Sequence, residues 1–377
     1  MLRRRDAVVH DLDDAAQLPW LEDRGITLVR GHGRLAGERI VRVGEEGLRA
    51  RRAVVIATGS DAAMPPIPGL AEARPWTNRE ATTSPTVPRR LLVIGGGVVG
   101  VELAQAYASL GSSVTLIEGG PRVLAREEPF AGEAICAALA EHGVAIHSGV
   151  RITAVARPEP GGAVTLTLDD DRELTGDELL VAAGRRPATA DLGLETIGLE
   201  PGEYIPVDDR MRVPGHPWLY AIGDANGCAL LTHMGKYEAR IASLVIDGDE
   251  SARVTQSGPR SPRVIFTDPQ VAAVGLTEAL AREAGLAVRT VAVATDATAG
   301  ASFVGRGTGG TSQLVVDTSR GVVVGATFVG HEVGEWLQAA TIAVVNEVPI
   351  ERLWDCVAAF PTRSEVWLRL LEAYEAG

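Results

Sequence analysis

The chain has 377 residues, a net charge of −13 and a hydrophobic fraction of 46%. That length predicts two or three domains rather than one, and the acidic balance argues against nucleic acid or an anionic lipid surface as a partner. Cys136, Cys228 and Cys356 form no close pair and the 7 histidines show no ligand spacing, so neither a disulfide framework nor a metal site is expected, which fits a reducing cytoplasm. No apolar run reaches the ~18 residues of a membrane span. The basic opening Met1-Leu2-Arg3-Arg4-Arg5-Asp6 has no apolar stretch behind it, so no leader peptide is expected.

A helical start leads to a predicted strand over residues 25–30, and a β-meander runs on through residues 39–43 and 48–53. Val54-Val55-Ile56-Ala57 is a continuous apolar run, the mark of a strand buried on both faces, and ends in Thr58-Gly59-Ser60. Met64-Pro65-Pro66-Ile67-Pro68-Gly69 excludes helix and central strand. Leu91-Leu92-Val93-Ile94 then predicts a short buried strand that runs into Gly95-Gly96-Gly97-Val98-Val99-Gly100-Val101-Glu102 and a helix over residues 99–110. Further helices are predicted over residues 129–141, 234–246, 333–347 and 364–376. Strands are predicted over residues 113–118, 144–148, 163–168, 179–184, 218–224, 288–295, 313–317 and 322–329. Residues 251–263, polar with two prolines, read as a linker. Strands grouped before helices beyond it suggest an α+β domain.

The glycine turn carries the most specific chemistry. A strand, a glycine turn and a helix expose backbone N–H groups at the positive helix end, where a pyrophosphate binds. Gly95 permits the turn, Gly97 lets the backbone approach phosphate, and Gly100 lets the helix pack on the strand. The next strand ends in Glu118, 18 residues after Gly100, where an acid meets the ribose hydroxyls of a dinucleotide. Such an acid favours NADH over NADPH, because it repels a 2′-phosphate; Arg122 is the nearby cation that could soften this.

In order and spacing these landmarks resemble the pyridine nucleotide–disulfide oxidoreductases, the dihydrolipoamide dehydrogenase and glutathione reductase group of flavoproteins. Ala57-Thr58-Gly59-Ser60 is similar to the segment leaving the flavin domain, Gly184-Arg185-Arg186-Pro187 to the return crossing, and Tyr220-Ala221-Ile222-Gly223-Asp224 to the second flavin segment. Val264-Ile265-Phe266-Thr267-Asp268-Pro269 resembles the opening of the dimerisation domain. The likeness implies an α/β fold with two nested doubly wound nucleotide-binding domains and a C-terminal α+β dimerisation domain. It places the flavin domain at residues 1–88 and 191–255, the NAD domain at 89–190 and the dimerisation domain at 256–377. The flavin domain is expected to be incomplete at its N-terminus, because nothing matches the family's opening flavin fingerprint and redox cysteine pair. A late start assignment or a sequence that omits the segment is the expected explanation, ahead of a natural remnant.

The resemblance implies NAD contacts from Gly95, Gly96, Gly97, Val98, Val99, Gly100, Glu102, Glu118, Ile152 and Gly184. It implies FAD contacts from Gly33, Thr58, Gly59, Ser60, Arg185, Gly223, Asp224 and Thr232, with Asp224 bonding the ribityl chain. Bland readings stand beside several of these: Glu102 as a helix-surface acid, Gly33 as a turn glycine, Glu118 as a solvated strand end, His233 as a buried hydrogen-bonded histidine and Cys228 as a small apolar side chain. Ala359-Phe360-Pro361-Thr362-Arg363-Ser364-Glu365 matches the C-terminal active-site motif, but Phe360 stands where disulfide-reducing members carry a histidine oriented by the residue that Glu365 matches. Phenylalanine cannot titrate, so the imidazole–carboxylate pair is missing. The expected activity is that of an FAD-dependent homodimer taking hydride from NAD(P)H, NADH favoured, and passing electrons to a small acceptor such as a quinone. Two alternatives remain: a dihydrolipoamide dehydrogenase-like disulfide reductase with its cysteine pair upstream, and a non-catalytic NAD-binding dimer module.

Overall fold

The structure is a computed structural model that describes residues 1–305, 307 and 309–377. It is a mixed α/β chain that forms two compact units. Met1–Ala62, Arg79–Val87 and Arg185–Val254 make the first; Ala63–Asn78, Pro88–Gly184 and Thr255–Gly377 make the second.

In the first unit, strand Val54–Ile56 runs parallel to His216–Ala221, with Tyr220 opposite Val55, and Arg212–Val213 adds an antiparallel strand on the far side. Helix Thr232–Ile246 buries Ile241, Ala242 and Val245 against Tyr220 and Met211. A meander of Gly33–Leu35, Ile40–Val43 and Glu46–Arg49 lies in the same unit, and Ser60–Ala62 pairs with Arg185–Pro187. Two expectations fail here. Residues 26–30 form no strand; Ile26 and Leu28 alternate as a strand would, but the Ile26 N–H turns back to the Leu21 carbonyl at 2.9 Å and both residues stay 45% exposed. Val54–Ile56 is not buried on both faces: it is the edge of its sheet, and Val55 is 41% exposed. An apolar run reports composition, and only the neighbouring strands decide burial.

Among the described residues the second unit holds three sheets: a parallel one, a small antiparallel one packed on it, and a larger antiparallel one. Four parallel strands run in the order Glu178–Val181, Arg90–Ile94, Ser113–Glu118, Ala145–Ser148. Leu91 to Ile94 are all buried, as a central parallel strand requires. Helices Val98–Ser109 and Pro129–Glu141 make the crossovers. The antiparallel arm Ile152–Ala156, Val164–Leu168, Glu173–Gly176 packs Val164, Leu166 and Leu168 onto Leu92, Ile94 and Leu179.

The other sheet has five antiparallel strands, with Val322–Gly330 buried along its whole length between Gln270–Gly275 and Thr311–Asp317. Helices Leu337–Val345 and Val366–Ala376 cover it through Leu337, Ala340, Val366 and Leu370, and the rings of Trp336 and Trp367 lie 6.4 and 6.2 Å from that of Phe328. Both helices open with a tight turn, Val333–Trp336 and Arg363–Glu365. Among the described residues no helix is long and apolar enough to cross a membrane.

Candidate functional sites

The glycine turn has the geometry its sequence predicts. Gly95 follows the central strand with φ 105°, and a Cβ there would lie 2.5 Å from the Ala182 carbonyl oxygen. At Gly100 a Cβ would stand 1.8 Å from the carbonyl oxygen of Gly95, so helix and strand touch backbone to backbone. Above Gly97 there is nothing within 4 Å. Gly97 is the N-cap of helix Val98–Ser109 and supplies no side-chain cap, which leaves the first-turn N–H groups to an incoming acceptor. Val98 is 43% exposed at that helix start.

Glu118 does not point to solvent as a free strand end. Its Oε2 accepts the Gly96 N–H at 2.6 Å and its Oε1 the Gly120 N–H at 2.6 Å. A Cβ on Gly96 or Gly120 would come 3.0 Å from these oxygens, so both glycines make room for the carboxylate. Arg122, flagged as a rival, donates to the carbonyls of Leu124, Ala125 and Glu127. Those bonds hold the guanidinium in its own loop.

Other expected NAD contacts fare differently. Ile152 is 8% exposed and packs into the core of the antiparallel arm, so its side chain serves packing. Gly184, at φ 129°, accepts the Ala63 N–H at 2.9 Å. Glu102 is no free surface acid: its Oε1 accepts the Phe266 N–H at 2.7 Å. Burial raises its pKa, against the lowering effect of that bond. One turn on, Gln105 exchanges bonds of 2.8 and 2.7 Å with the carbonyl and N–H of Asp268. Glu127 forms a two-pronged pair with Arg263 at 2.7 and 2.8 Å, and Glu128 accepts the Glu278 N–H at 2.7 Å. These four side chains tie helix Val98–Ser109 and the turn before helix Pro129–Glu141 to residues 263–278.

The second cluster lies in the first unit. Ser60 Oγ donates to Asp224 Oδ2 and accepts from Arg185 Nε at 2.6 Å; Arg185 Nη2 donates to the Ser60 carbonyl at 2.8 Å. Arg185 Nε is 3.3 Å from Asp224 Oδ2. Pairing of Ser60–Ala62 with Arg185–Pro187 brings the two strand ends together, and the Ile222 N–H bonded to the Ile56 carbonyl sets Gly223 and Asp224 beside them. Gly59, at φ 75°, has open space where a Cβ would be, and Gly235 brings its helix within 3.2 Å of Gly223 by the same measure. Thr58 and Thr232 are exposed.

Gly33 is not joined to this cluster by any described hydrogen bond. It pairs with Val43 in the meander, and the position that demands glycine there is Gly31, at φ 143° with a Cβ 2.5 Å from Val43 Cγ1. His233 is exposed, which corrects the buried reading: it is the second residue of its helix, ahead of the buried Met234. Sequence reasoning missed Tyr204, whose ring lies against Gly227 and whose hydroxyl is 3.5 Å from the Arg185 carbonyl. It also missed Glu238, whose Oε2 accepts the Gly223 N–H at 2.7 Å.

At the C-terminal motif Phe360 is 77% exposed. Glu365 is buried, and its Oε2 accepts the Thr362 N–H at 3.3 Å in a capping box. Its carboxylate therefore fixes the turn just after Phe360. Arg363, to which the sequence assigned no role within that motif, stacks its guanidinium 4.4 Å from the Trp336 ring centre and donates to the His331 carbonyl. Burial lowers its pKa, partly offset by Glu332.

Residues 15–245 match the pyridine nucleotide-disulphide oxidoreductase family, and residues 261–370 match its dimerisation domain. The chain belongs to the pyridine nucleotide-disulphide oxidoreductases. It is 35% identical to a mercuric reductase of Shigella flexneri over 97% of its own length and 65% of that protein's. It is 34% identical to a dihydrolipoyl dehydrogenase of Thermus scotoductus, covering 99% of this chain and 79% of the relative. The chain thus spans less than two thirds of that mercuric reductase, and 58% of the one from Bacillus cereus. Among solved structures it superposes on the HOCl-induced flavoprotein disulfide reductase RclA of Escherichia coli with a TM-score of 0.87 at 25% identity, over 98% of this chain and 85% of RclA. LpdA of Mycobacterium tuberculosis gives 0.85 at 26% identity, over 98% and 82%.

Proposed function

We propose that this protein is an NAD(P)H-dependent flavoprotein oxidoreductase that works as a homodimer, favours NADH and delivers electrons to a small flat acceptor such as a quinone. The observation that carries the reading is the uncapped helix start at Gly97, with Glu118 clamped beside it by two backbone N–H groups. Pyrophosphate would take the first-turn N–H groups, and the remaining lone pairs of Glu118 would accept the ribose hydroxyls. A 2′-phosphate would meet a carboxylate there, while Arg122 stays bonded to its own loop. The domain scheme proposed is a flavin domain of residues 1–88 and 191–255, an NAD domain of 89–190 and a dimerisation domain of 256–377.

The residues of the second cluster fit a flavin's polyol chain. Asp224 offers an acceptor, Ser60 and Arg185 fix its direction, and Gly59 and Gly223 leave room for close approach. When bound, FAD would supply the two-electron redox chemistry, while the protein binds and orients it. Phe360 offers no proton acceptor where a thiol-based reaction needs one. Its exposed ring suits a flat apolar acceptor, and Glu365, proposed to face the partner subunit's flavin, holds the turn that carries it.

A second reading is favoured by the relative from Thermus scotoductus: dihydrolipoyl dehydrogenase-like disulfide reduction, with a cysteine pair contributed from outside this sequence. Anaerobic stopped-flow mixing of the FAD-loaded protein with NADH separates the two. Rapid bleaching of the flavin, followed by reoxidation by a quinone but not by lipoamide or glutathione disulfide, is the expected result. Absence of bleaching, or brisk disulfide reduction, overturns the first reading.

A further inference from the structure

Glu238 lies inside helix Thr232–Ile246 and is 0% exposed. Its Oε2 accepts two bonds, from the Gly223 N–H at 2.7 Å and from Asn226 Nδ2 at 2.8 Å. Its Oε1 is equally buried and meets no donor. Gly223 and Asn226 are the two ends of the turn Gly223–Asn226, and Asp224 lies between them. Asn226 also donates to the Ala221 carbonyl at 3.2 Å and accepts the Cys228 N–H at 2.8 Å. One carboxyl therefore fixes both ends of the turn that presents Asp224.

The one-sided use of this carboxyl indicates its charge. An ionised carboxylate spreads its charge over two oxygens, and a dry interior penalises the one left without a donor. A protonated acid accepts through its carbonyl oxygen and leaves a neutral hydroxyl at Oε1, whose missing partner costs less than an unpaired share of negative charge. Among the described residues no cation pairs with Glu238; the guanidinium of Arg185 stands against Asp224 instead. The charged group facing Glu238 from the turn is Asp224, and the next turn of its helix packs Ile241 and Ala242 with Tyr220 and Met211. Burial raises the pKa of Glu238 and the charge of Asp224 adds to this, against the bonds from Asn226 and Gly223.

We propose that Glu238 is a positioning residue for the flavin: as an uncharged acid it sets the turn so that Asp224 meets the polyol chain without a second negative charge behind it. The proposal rests on the flavin reading above. The arrangement is intact at low pH and is lost as pH rises through the elevated pKa of Glu238.

Flavin titrations of the wild type, Glu238→Gln and Glu238→Ala across a pH series test it, together with infrared spectra and circular dichroism of the flavin-free proteins. Glu238→Gln keeps both bonds to its carbonyl oxygen. It should hold the FAD Kd within ~3-fold of wild type and remove the wild type's alkaline weakening. Glu238→Ala frees the turn and should weaken FAD by about tenfold or more with its circular dichroism retained. The flavin-free wild type should keep, to a higher pH than an ordinary glutamate, a protonated-carboxyl stretch that Glu238→Gln lacks. Equal losses in the two variants, or absence of that band, overturn the proposal. Should Glu238→Ala not fold, the glutamine variant and the band still decide. A wild type that binds no FAD at any pH defeats the flavin reading, and with it the positioning role, while the band reports separately on the charge of Glu238.

Discussion

Gly97 and Gly100 are three residues apart, and alanine at each should give opposite signatures. At Gly97 a methyl group meets nothing within 4 Å, and the backbone, at φ −75°, is one that alanine adopts freely. The fold loses only the better N-cap, about 1 kcal/mol. The methyl does, however, stand where pyrophosphate must approach the helix start, so NADH should bind about tenfold more weakly or worse, ~1.4 kcal/mol. At Gly100 the methyl would lie 1.8 Å from the Gly95 carbonyl oxygen, an atom of backbone that cannot rotate away. Overpacking costs about 1–3 kcal/mol, and this contact belongs at the top of that range; alanine's helix propensity returns about 1 kcal/mol. A net loss of ~2 kcal/mol lowers the melting temperature by roughly 4–8 °C in a unit of this size. NADH fluorescence titration beside thermal unfolding reads both. Gly97→Ala should separate binding from stability, and Gly100→Ala should lose both together. Wild-type NADH affinity in Gly97→Ala would refute the reasoning, because no phosphate would then sit over that turn.

Glu118→Ala should lower the kcat/KM preference for NADH over NADPH by about tenfold, since the repulsion of a 2′-phosphate disappears; an unchanged ratio would place the adenine ribose elsewhere. Phe360→Ala should leave flavin reduction by NADH intact and cut kcat/KM for a quinone by about tenfold, the worth of an aromatic contact; equal loss in both half-reactions would show that Phe360 supports the fold instead. Glu128 is 4% exposed, and burial raises its pKa above 4.5, opposed by the bond from the Glu278 N–H. Its contribution to stability is fully present below pH 4.5 and is lost as pH rises through the raised value. Glu128→Gln should therefore flatten that part of the pH–stability curve in urea unfolding, and a curve of unchanged slope would exclude Glu128 as its source.

Much of the candidate site was legible because glycine's chemistry is local. Gly95, Gly97 and Gly100 each answer to backbone atoms within a few residues or on the adjoining strand, so spacing alone implied the turn. Glu118 was legible because a strand end places its last side chain beside the neighbouring strand's turn. Glu102 was not: its partner is a backbone N–H 164 residues further on, which no local pattern encodes. The exposure of His233 and the packing of Ile152 escaped for a related reason, since family position fixes a residue's place in the chain but not what packs over it.

By itself the sequence determined the strand–turn–helix, the alternation of buried strands with small residues at their ends, and the loss of a titratable group at Phe360, because these depend on side-chain size, period and chemistry. The tertiary structure alone decided that Val55 lies on an open edge, that Arg122 is bound to its own loop, and that Glu238 anchors the turn under Asp224. Burial and partnership belong to pairs of segments far apart in the chain, and come into being only when the sheets assemble.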